Sequence, residues 1–206
     1  MDETTILNIA LAILISSFVF DAVLNRINLK HSEKPIDPKF AFLYDDEKRQ
    51  SALDYQRVNY KANLFADSFS TLFTIAMLAL GGFGIIDEFV RNFFSNDILV
   101  GLAFIGVVSL LGSIISLPFS IYATFVIEAK FGFNKTTVKT FVTDKIKGVM
   151  IGVLFGVPLF SAIVWIYLQL GSYFWLATWL LMTAFSLFSF AFGTTLILPR
   201  FNKLSP

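Results

Sequence analysis

The sequence predicts an all-α integral membrane protein with five transmembrane helices, one cytoplasmic helical extension and one interfacial amphipathic helix. The chain of 206 residues is 56% hydrophobic and has a mean hydropathy of +0.72, which is too apolar for an ordinary soluble domain. Its apolar residues form runs long enough to cross a bilayer, and its basic residues are concentrated between those runs. We therefore expect a single polytopic membrane domain over residues 1–206.

The predicted spans cover residues 6–24, 64–86, 98–127, 148–168 and 173–198. Each is close to or above the roughly 20 residues that cross about 30 Å of hydrocarbon. A secretory signal peptide does not fit the first run, because Asp2 and Glu3 stand where a basic region is expected. Asp21 lies one turn from the end of this span. It is either a carboxylate at the membrane surface or a functional group in the interior.

A polar segment, residues 26–61, separates the first two spans, and Pro35 and Pro38 exclude one continuous helix through it. The run DDEKR at residues 45–49 is acidic and then basic, which is typical of a helix start. This pattern predicts a cytoplasmic helix that continues into the second span. Asp67, just inside that span, is either an interface carboxylate or a residue that lines water.

Residues 87–97 are expected to form a short acidic turn before the third span. That span carries a stripe of hydroxyl side chains at helical spacings of four, three and four, formed by Ser109, Ser113, Ser116 and Ser120. The stripe indicates either close helix packing with interhelical hydrogen bonds or the wall of a polar chamber.

The loop after the third span reads FVIEAKFGFNKTT from residue 125 and is followed by FVTDKIKG from residue 141. Gly132 and Asn134 are residue types that tolerate positive φ, and the Thr136–Thr137 pair can cap a helix. The next residues alternate between an apolar and a basic face, which predicts an amphipathic helix in the interface before the fourth span. Glu128 and Asp144 are expected to pair with Lys130, Lys135 or Lys147, and the alternative is a role in contacting a downstream domain.

The fourth span begins with glycines at every fourth position, Gly148, Gly152 and Gly156, a pattern that favours close helix packing. A tight turn at residues 169–172 and the break at Pro199 delimit the fifth span.

Fifteen of the 16 basic residues lie in residues 26–61, in the loop after the third span or in the tail, and only Arg91 lies on the opposite side. The positive-inside rule then places the N-terminus outside and the C-terminus in the cytoplasm.

Three segments closely resemble the CAAX prenyl protease family of integral-membrane zinc metalloendopeptidases. They are the loop at 125–148, the segment LYDDEKRQSALDYQRVNYKANL from residue 43 and the closing LPRFNKLSP. The resemblance covers nearly the whole chain and is most specific in the loop, whose signature residues are Glu128, Phe131, Gly132, Phe133, Asn134, Lys135, Thr136, Thr137 and Asp144.

This resemblance implies that a cytoplasmic zinc domain with an HExxH motif follows the fifth helix, and that seven helices enclose a water-filled chamber. The four serines of the stripe and Asp67 become candidates for chamber lining. The chain contains no HExxH, its single histidine is His31 and it has no cysteine. We therefore assign no catalytic or metal-binding residue here, and expect the chain alone to be inactive and zinc to bind beyond Pro206.

The implied partners are the lipid bilayer, the downstream zinc peptidase domain and a peptide or protein substrate, and no nucleic acid. The implied location is a bacterial cytoplasmic membrane, or the endoplasmic reticulum or nuclear membrane of a eukaryote. The alternative function is a stand-alone five-span scaffold or interaction protein, or a small transporter. A transporter would be expected to show internal repeats, and no repeat is visible between the spans.

Overall fold

The computed structural model describes residues 2–35 and 45–192, and all regular structure in these residues is helical. The helices are α1 (Glu3–Ser32), α2 (Asp46–Ala79), α3 (Gly82–Arg91), α4 (Asp97–Tyr122), α5 (Val138–Leu170) and α6 (Phe174–Phe192). A π-helical turn, Ala123–Glu128, continues α4, and a 3₁₀ turn, Gly171–Tyr173, joins α5 to α6. The predicted all-α fold class is confirmed.

The helices expose their apolar side chains instead of burying them. Only Leu53, Val90, Val100 and Ile127 are buried hydrophobic residues in the described part of the chain, whereas large hydrophobic side chains are exposed along every helix. Four stretches, residues 3–32, 46–79, 97–128 and 138–191, are long and apolar enough to cross a membrane, and the last contains both α5 and α6. A helix that is apolar on all sides requires hydrocarbon around it. The chain is therefore an integral membrane protein.

Acidic residues begin the first two helices. The Asp2 carboxylate accepts a hydrogen bond from the Thr5 backbone N–H, and Asp45 accepts from the N–H groups of Glu47 and Lys48. From there α2 runs without a break into the apolar region, as the DDEKR pattern predicts. α1 extends beyond the apolar run at both ends.

The expected helix bound at residue 86 and the expected acidic turn at 87–97 are both wrong. α2 ends at Ala79 because Gly81 adopts a left-handed conformation, with φ of +70°. Such a glycine ends a helix since no side chain opposes the turn. The chain then forms the ten-residue helix α3, in which Phe83, Ile86 and Val90 recur at the spacing of one helical face.

Thr137 begins α5, because its hydroxyl accepts a hydrogen bond from the Thr140 N–H. α5 then passes through Gly148 without interruption, so the predicted interfacial segment and the fourth predicted span are one helix. The turn expected at 169–172 is the 3₁₀ turn, in which Gly171 has φ of +47°. The end of the fifth span, residues 193–198, and the tail after it lie outside the described residues.

The described residues fall into two compact units. The first contains residues 2–35, 45–92 and 104–135, and α2 lies in it between α1 and α4. Ring contacts set the register of α2 and α3 against α4 and its loop: Phe119 lies against Phe65 and Phe69 of α2, Phe104 against Phe83 of α3, and Phe131 and Phe133 against Tyr55 of α2. Residue numbers rise in α2 as they fall in α4, so the two helices are antiparallel.

The second unit contains residues 93–103 and 136–192. Phe155 of α5 contacts Phe185 and Phe188 of α6, and Tyr167 contacts Phe174, so these helices form an antiparallel hairpin. The start of α4 approaches α5 closely, because a Cβ atom added to Gly101 would lie 2.9 Å from the Phe160 ring. A larger residue at position 101 would therefore require the Phe160 ring to move.

Candidate functional site

The first unit contains a polar cleft of about 820 Å³ between α1 and α2. One polar stripe on each helix lines it. The α1 stripe is Ser17, Asp21, Asn25, Asn28 and Ser32, and the α2 stripe is Gln56, Asn59, Asn63, Asp67 and Ser70. Tyr55, Tyr60 and Thr71 add further polar side chains, and the remaining lining residues, Leu14, Phe18, Ala22, Leu29 and Leu64, are apolar.

The cleft forms because each stripe follows the helical period. Successive members are three or four residues apart, so they lie on one side of their helix. Ser17 and Asp21 of α1 and Asp67 and Ser70 of α2 lie within the apolar runs, where two facing stripes keep polar side chains away from hydrocarbon, whereas the rest of each stripe lies in or beside the polar segment 26–61. The arrangement gives the unit a hydrophilic surface within membrane-spanning helices.

Asp21 and Asp67 are the charged residues among those that line the cleft, and no Lys, Arg or His is among them. The formal charge of the lining residues is therefore negative. Asn, Gln, Ser and Thr side chains both donate and accept hydrogen bonds, so they match the alternating N–H and C=O groups of an extended peptide. The cleft is thus suited chemically to water and to a peptide segment that is neutral or basic.

Polar contacts hold the two helices together at the end of the cleft nearest their connection. The Arg57 Nε donates to Glu33 Oε1 over 2.7 Å, and Arg57 Nη1 donates to Asp54 Oδ1 over 3.1 Å. The Arg49 guanidinium donates to the Lys34 carbonyl oxygen. These groups are partly exposed, so solvent screens them and they mainly fix the geometry of the helix ends.

The signature loop begins as a Schellman motif at the end of the π-helical turn. The Phe133 N–H donates to the Glu128 carbonyl over 2.9 Å, and the Gly132 N–H donates to the Ala129 carbonyl over 3.2 Å. Gly132 occupies the left-handed position of this motif, with φ of +74°. The FGF sequence thus supplies a glycine where the turn needs one and a phenylalanine on each side of it.

Those two phenylalanines hold Tyr55 of α2 between them. The Tyr55 ring lies 5.3 Å from Phe131 and 4.9 Å from Phe133, and both contacts are edge to face. Tyr55 also lines the cleft. The loop therefore fixes one wall residue of the cleft, although it lies far from Tyr55 in sequence.

Some of the residues predicted to be functional line the cleft and others do not. Asp67 lines the cleft and so does Asp21, whereas Ser109, Ser113, Ser116 and Ser120 of α4 are not among its lining residues. The Ser113 and Ser116 hydroxyls instead donate to carbonyl groups of their own helix. In the second unit Asp144 pairs with Lys147 over 3.7 Å, as expected.

One expectation about the loop is wrong. Glu128 makes no ion pair within the described part of the chain, and its carbonyl oxygen instead accepts hydrogen bonds from the Phe133 and Asn134 N–H groups. Of the two residue types that tolerate positive φ, Gly132 adopts it and Asn134 does not.

Sequence analysis missed Asn25, Asn28, Asn59 and Asn63. Their signal was present, since each lies three or four residues from another polar residue of the same stripe. Asn28 and Asn59 lie in the segment 26–61, which was interpreted as a polar connection, and Asn25 and Asn63 lie just outside its two ends and outside the predicted spans. No group of three or more potential metal ligands occurs in residues 2–35 and 45–192.

Comparisons with known proteins agree with this architecture. Residues 25–203 match a family model described as CAAX prenyl protease N-terminal, five membrane helices. The chain is 44% identical over 111 residues to a CAAX prenyl protease 1 homolog of Oryza sativa, covering 54% of this chain and 26% of that protein. It is 27% identical over 203 residues to CAAX prenyl protease 1 of Saccharomyces cerevisiae, covering 93% and 45% respectively.

Among solved structures, the chain resembles the crystal structure of S. mikatae Ste24p with a TM-score of 0.87 and 26% sequence identity. That match covers 97% of this chain and 48% of the other. The chain thus spans less than half the length of these three proteins. The family model matches residues 25–203, which is most of this chain. The chain therefore belongs to the CAAX prenyl protease family and corresponds to its N-terminal membrane region.

Proposed function

We propose that this chain forms the N-terminal membrane region of a zinc endopeptidase and that the α1–α2 cleft is part of the inner wall contacted by the peptide substrate. The observation that carries this proposal is the cleft itself, whose two facing polar stripes start in the polar segment 26–61 and continue into the apolar runs of α1 and α2 at Ser17, Asp21, Asp67 and Ser70. Intramembrane polar side chains are costly unless they face water, protein or a ligand. A peptide chamber explains why they are present.

The proposal includes a zinc ion, whose ligands are not among the described residues. In this interpretation the metal ligands would lie in a domain after the fifth helix, and a zinc ion bound there would supply the activation of water for peptide hydrolysis. This chain contributes the cleft, the signature loop and the serine stripe of α4 as a further part of the chamber wall. The proposed substrate is a membrane-associated or prenylated C-terminal peptide.

The charge distribution supports an orientation with the basic segments in the cytoplasm. The N-terminus is then outside, and the zinc domain faces the cytoplasm. The relatives named above come from eukaryotes and give no support to a bacterial cytoplasmic membrane.

The test uses the full-length protein in liposomes, with zinc content and hydrolysis of a prenylated peptide as the two measurements. Asn25→Leu combined with Asn63→Leu removes one polar side chain from each stripe. We expect kcat/KM to fall about thirtyfold, because the two lost hydrogen bonds to substrate cost about 1 kcal/mol each. Zinc content should not change.

Asn8→Leu is the matched control, because Asn8 is exposed on α1 but does not line the cleft. Normal hydrolysis by the Asn25→Leu/Asn63→Leu protein would remove the cleft from the substrate path while leaving the peptidase assignment intact. Absence of both zinc and hydrolysis in the unaltered full-length protein would overturn the peptidase assignment. A stand-alone scaffold would then be favoured.

A further inference from the structure

Tyr55 lies at one end of the α1–α2 cleft. Arg57, two residues further along α2, pairs with Glu33 at the end of α1, so this end is the one nearest the connection between the two helices. Thr71 lines the other end of the α2 wall. A helix rises about 1.5 Å per residue, which separates Tyr55 from Thr71 by about 24 Å along α2. The cleft is therefore long enough for about seven residues of extended peptide, with Tyr55 beside one end of it.

Phe131 and Phe133 of the signature loop fix the direction of the Tyr55 ring. Their ring centroids lie 5.3 and 4.9 Å from that of Tyr55, at interplanar angles of 75° and 73°. The energy of an edge-to-face contact depends on the orientation of both rings, so each contact restricts the tilt of the Tyr55 ring. Two such contacts from one loop leave it little freedom to turn.

The loop that supplies these two rings is itself anchored. Ile127, in the π-helical turn just before the loop, is only 1% exposed, and that turn packs against α2. The Phe133 N–H donates to the Glu128 carbonyl oxygen over 2.9 Å, and Gly132 has φ of +74°. A buried side chain and backbone hydrogen bonds therefore hold the loop in place, and the orientation of Tyr55 follows from them.

The two ring contacts explain why residue 55 is aromatic. They require only a phenyl group, and phenylalanine would supply one. Among the described residues no hydrogen bond restrains the hydroxyl, so the ring contacts alone position it. The hydroxyl adds a hydrogen-bond donor to a side chain that lines the cleft.

We infer that the Tyr55 hydroxyl donates a hydrogen bond to a backbone carbonyl oxygen of the peptide substrate at this end of the cleft, and that the signature loop positions it for that contact. The inference rests on the proposed function of the cleft. Every residue of a peptide carries a carbonyl acceptor, so this contact selects for an extended backbone and not for a particular side chain.

The two phenylalanines contribute to binding through Tyr55. A donor that is already held in place need not be ordered when the substrate arrives, which reduces the entropy lost on binding. Tyr55 is thus a substrate-binding residue, and Phe131 and Phe133 are positioning residues.

The test measures hydrolysis of a prenylated peptide by the full-length protein in liposomes, with KM and kcat determined separately. Tyr55→Phe removes the hydroxyl and keeps the ring contacts. We expect KM to rise about fivefold with kcat unchanged, because a hydrogen bond made equally in the bound substrate and in the transition state affects only binding.

Tyr167→Phe is the matched control. Tyr167 also makes an edge-to-face ring contact, with its centroid 5.2 Å from that of Phe174, but it does not line the cleft. Its KM should equal that of the unaltered protein.

Phe133→Leu tests whether the loop acts through the hydroxyl. It removes one of the two rings that orient Tyr55, so KM should rise in the otherwise unaltered protein and should not rise further when Tyr55→Phe is already present. Equal rises of KM in both backgrounds would indicate a purely structural role of the loop and would overturn its positioning role. Phe131→Leu takes the place of Phe133→Leu if the unfolding midpoint shows that the latter does not fold.

A normal KM for Tyr55→Phe, beside unaltered protein that cleaves the peptide, would overturn this inference and leave the proposed function intact. Lack of hydrolysis by the unaltered protein would instead count against the proposed function, and the inference would fall with it.

Discussion

Gly132 determines the direction in which the chain leaves the end of the π-helical turn. It is the left-handed residue of the Schellman motif, and the space around its Cβ position is open, so only its backbone conformation restricts substitution. We expect Gly132→Ala to lower the free energy of unfolding by about 1 kcal/mol, because an L side chain is disfavoured at positive φ. The midpoint of thermal unfolding of the purified protein in detergent measures this loss.

Gly84 gives the matched comparison. It also has open space at its Cβ position, but it lies within α3 and does not have positive φ. Gly84→Ala should raise the unfolding midpoint, because alanine loses less conformational entropy in a helix, by roughly 0.5–1 kcal/mol. Equal effects of the two substitutions would show that the left-handed turn does not limit substitution at Gly132.

At the scale of elements, the signature loop and α2 are joined through Tyr55. Replacing Tyr55 by Leu removes both edge-to-face ring contacts, each of which contributes about 0.5–1.5 kcal/mol. Tyr55→Phe keeps both rings in contact. We expect Tyr55→Leu to lower the unfolding midpoint clearly and Tyr55→Phe to change it little.

A double-mutant cycle of Tyr55→Leu with Phe133→Leu isolates this contact from general loss of packing. A coupling of about 0.5–1.5 kcal/mol is expected for residues in direct contact. Additive effects would mean that the loop and α2 are stabilised independently.

At the scale of the whole molecule, the basic segments predict which surfaces share one side of the membrane. Lys48 precedes the apolar part of α2 and Lys130 follows that of α4, whereas Glu88 lies between those two helices. We expect single cysteines at 48 and 130 to react with an impermeant maleimide from the cytoplasmic side, and a cysteine at 88 to react only from the other. Detergent-permeabilised vesicles provide the control, because all three cysteines should react in them. Labelling of 48 and 130 from opposite sides would contradict the antiparallel pairing of α2 and α4 across the membrane.

Much of the fold was predictable from local patterns. The apolar runs predicted the membrane-spanning helices, and the DDEKR run and Thr137 marked helix starts that the structure contains. The end of α2 was mispredicted because the apolar run continues past Gly81, and hydropathy does not register the left-handed turn there. The same error concealed α3, whose faces become visible only when the helix bounds are known.

The site was predicted only in part, because a stripe of polar residues does not reveal what it faces. From sequence alone, Asp67 and the serine stripe of α4 were both candidates for chamber lining. In the structure Asp67 lines the α1–α2 cleft and the four serines do not. Asn25 and Asn63 are far apart in the chain, and nothing local to either predicts that both line the same cleft.

The sequence by itself determined the class of this protein, since hydropathy, charge distribution and the helix-start residues are local properties that act wherever the chain lies. The turn in the FGF loop is also determined locally, because Gly132 supplies the left-handed backbone conformation that the turn needs. Only the tertiary structure decided which polar stripes face one another, which aromatic rings contact Tyr55 and which residue of α3 is buried. These outcomes depend on the register and pairing of helices distant in sequence, and that information is not contained in any single segment.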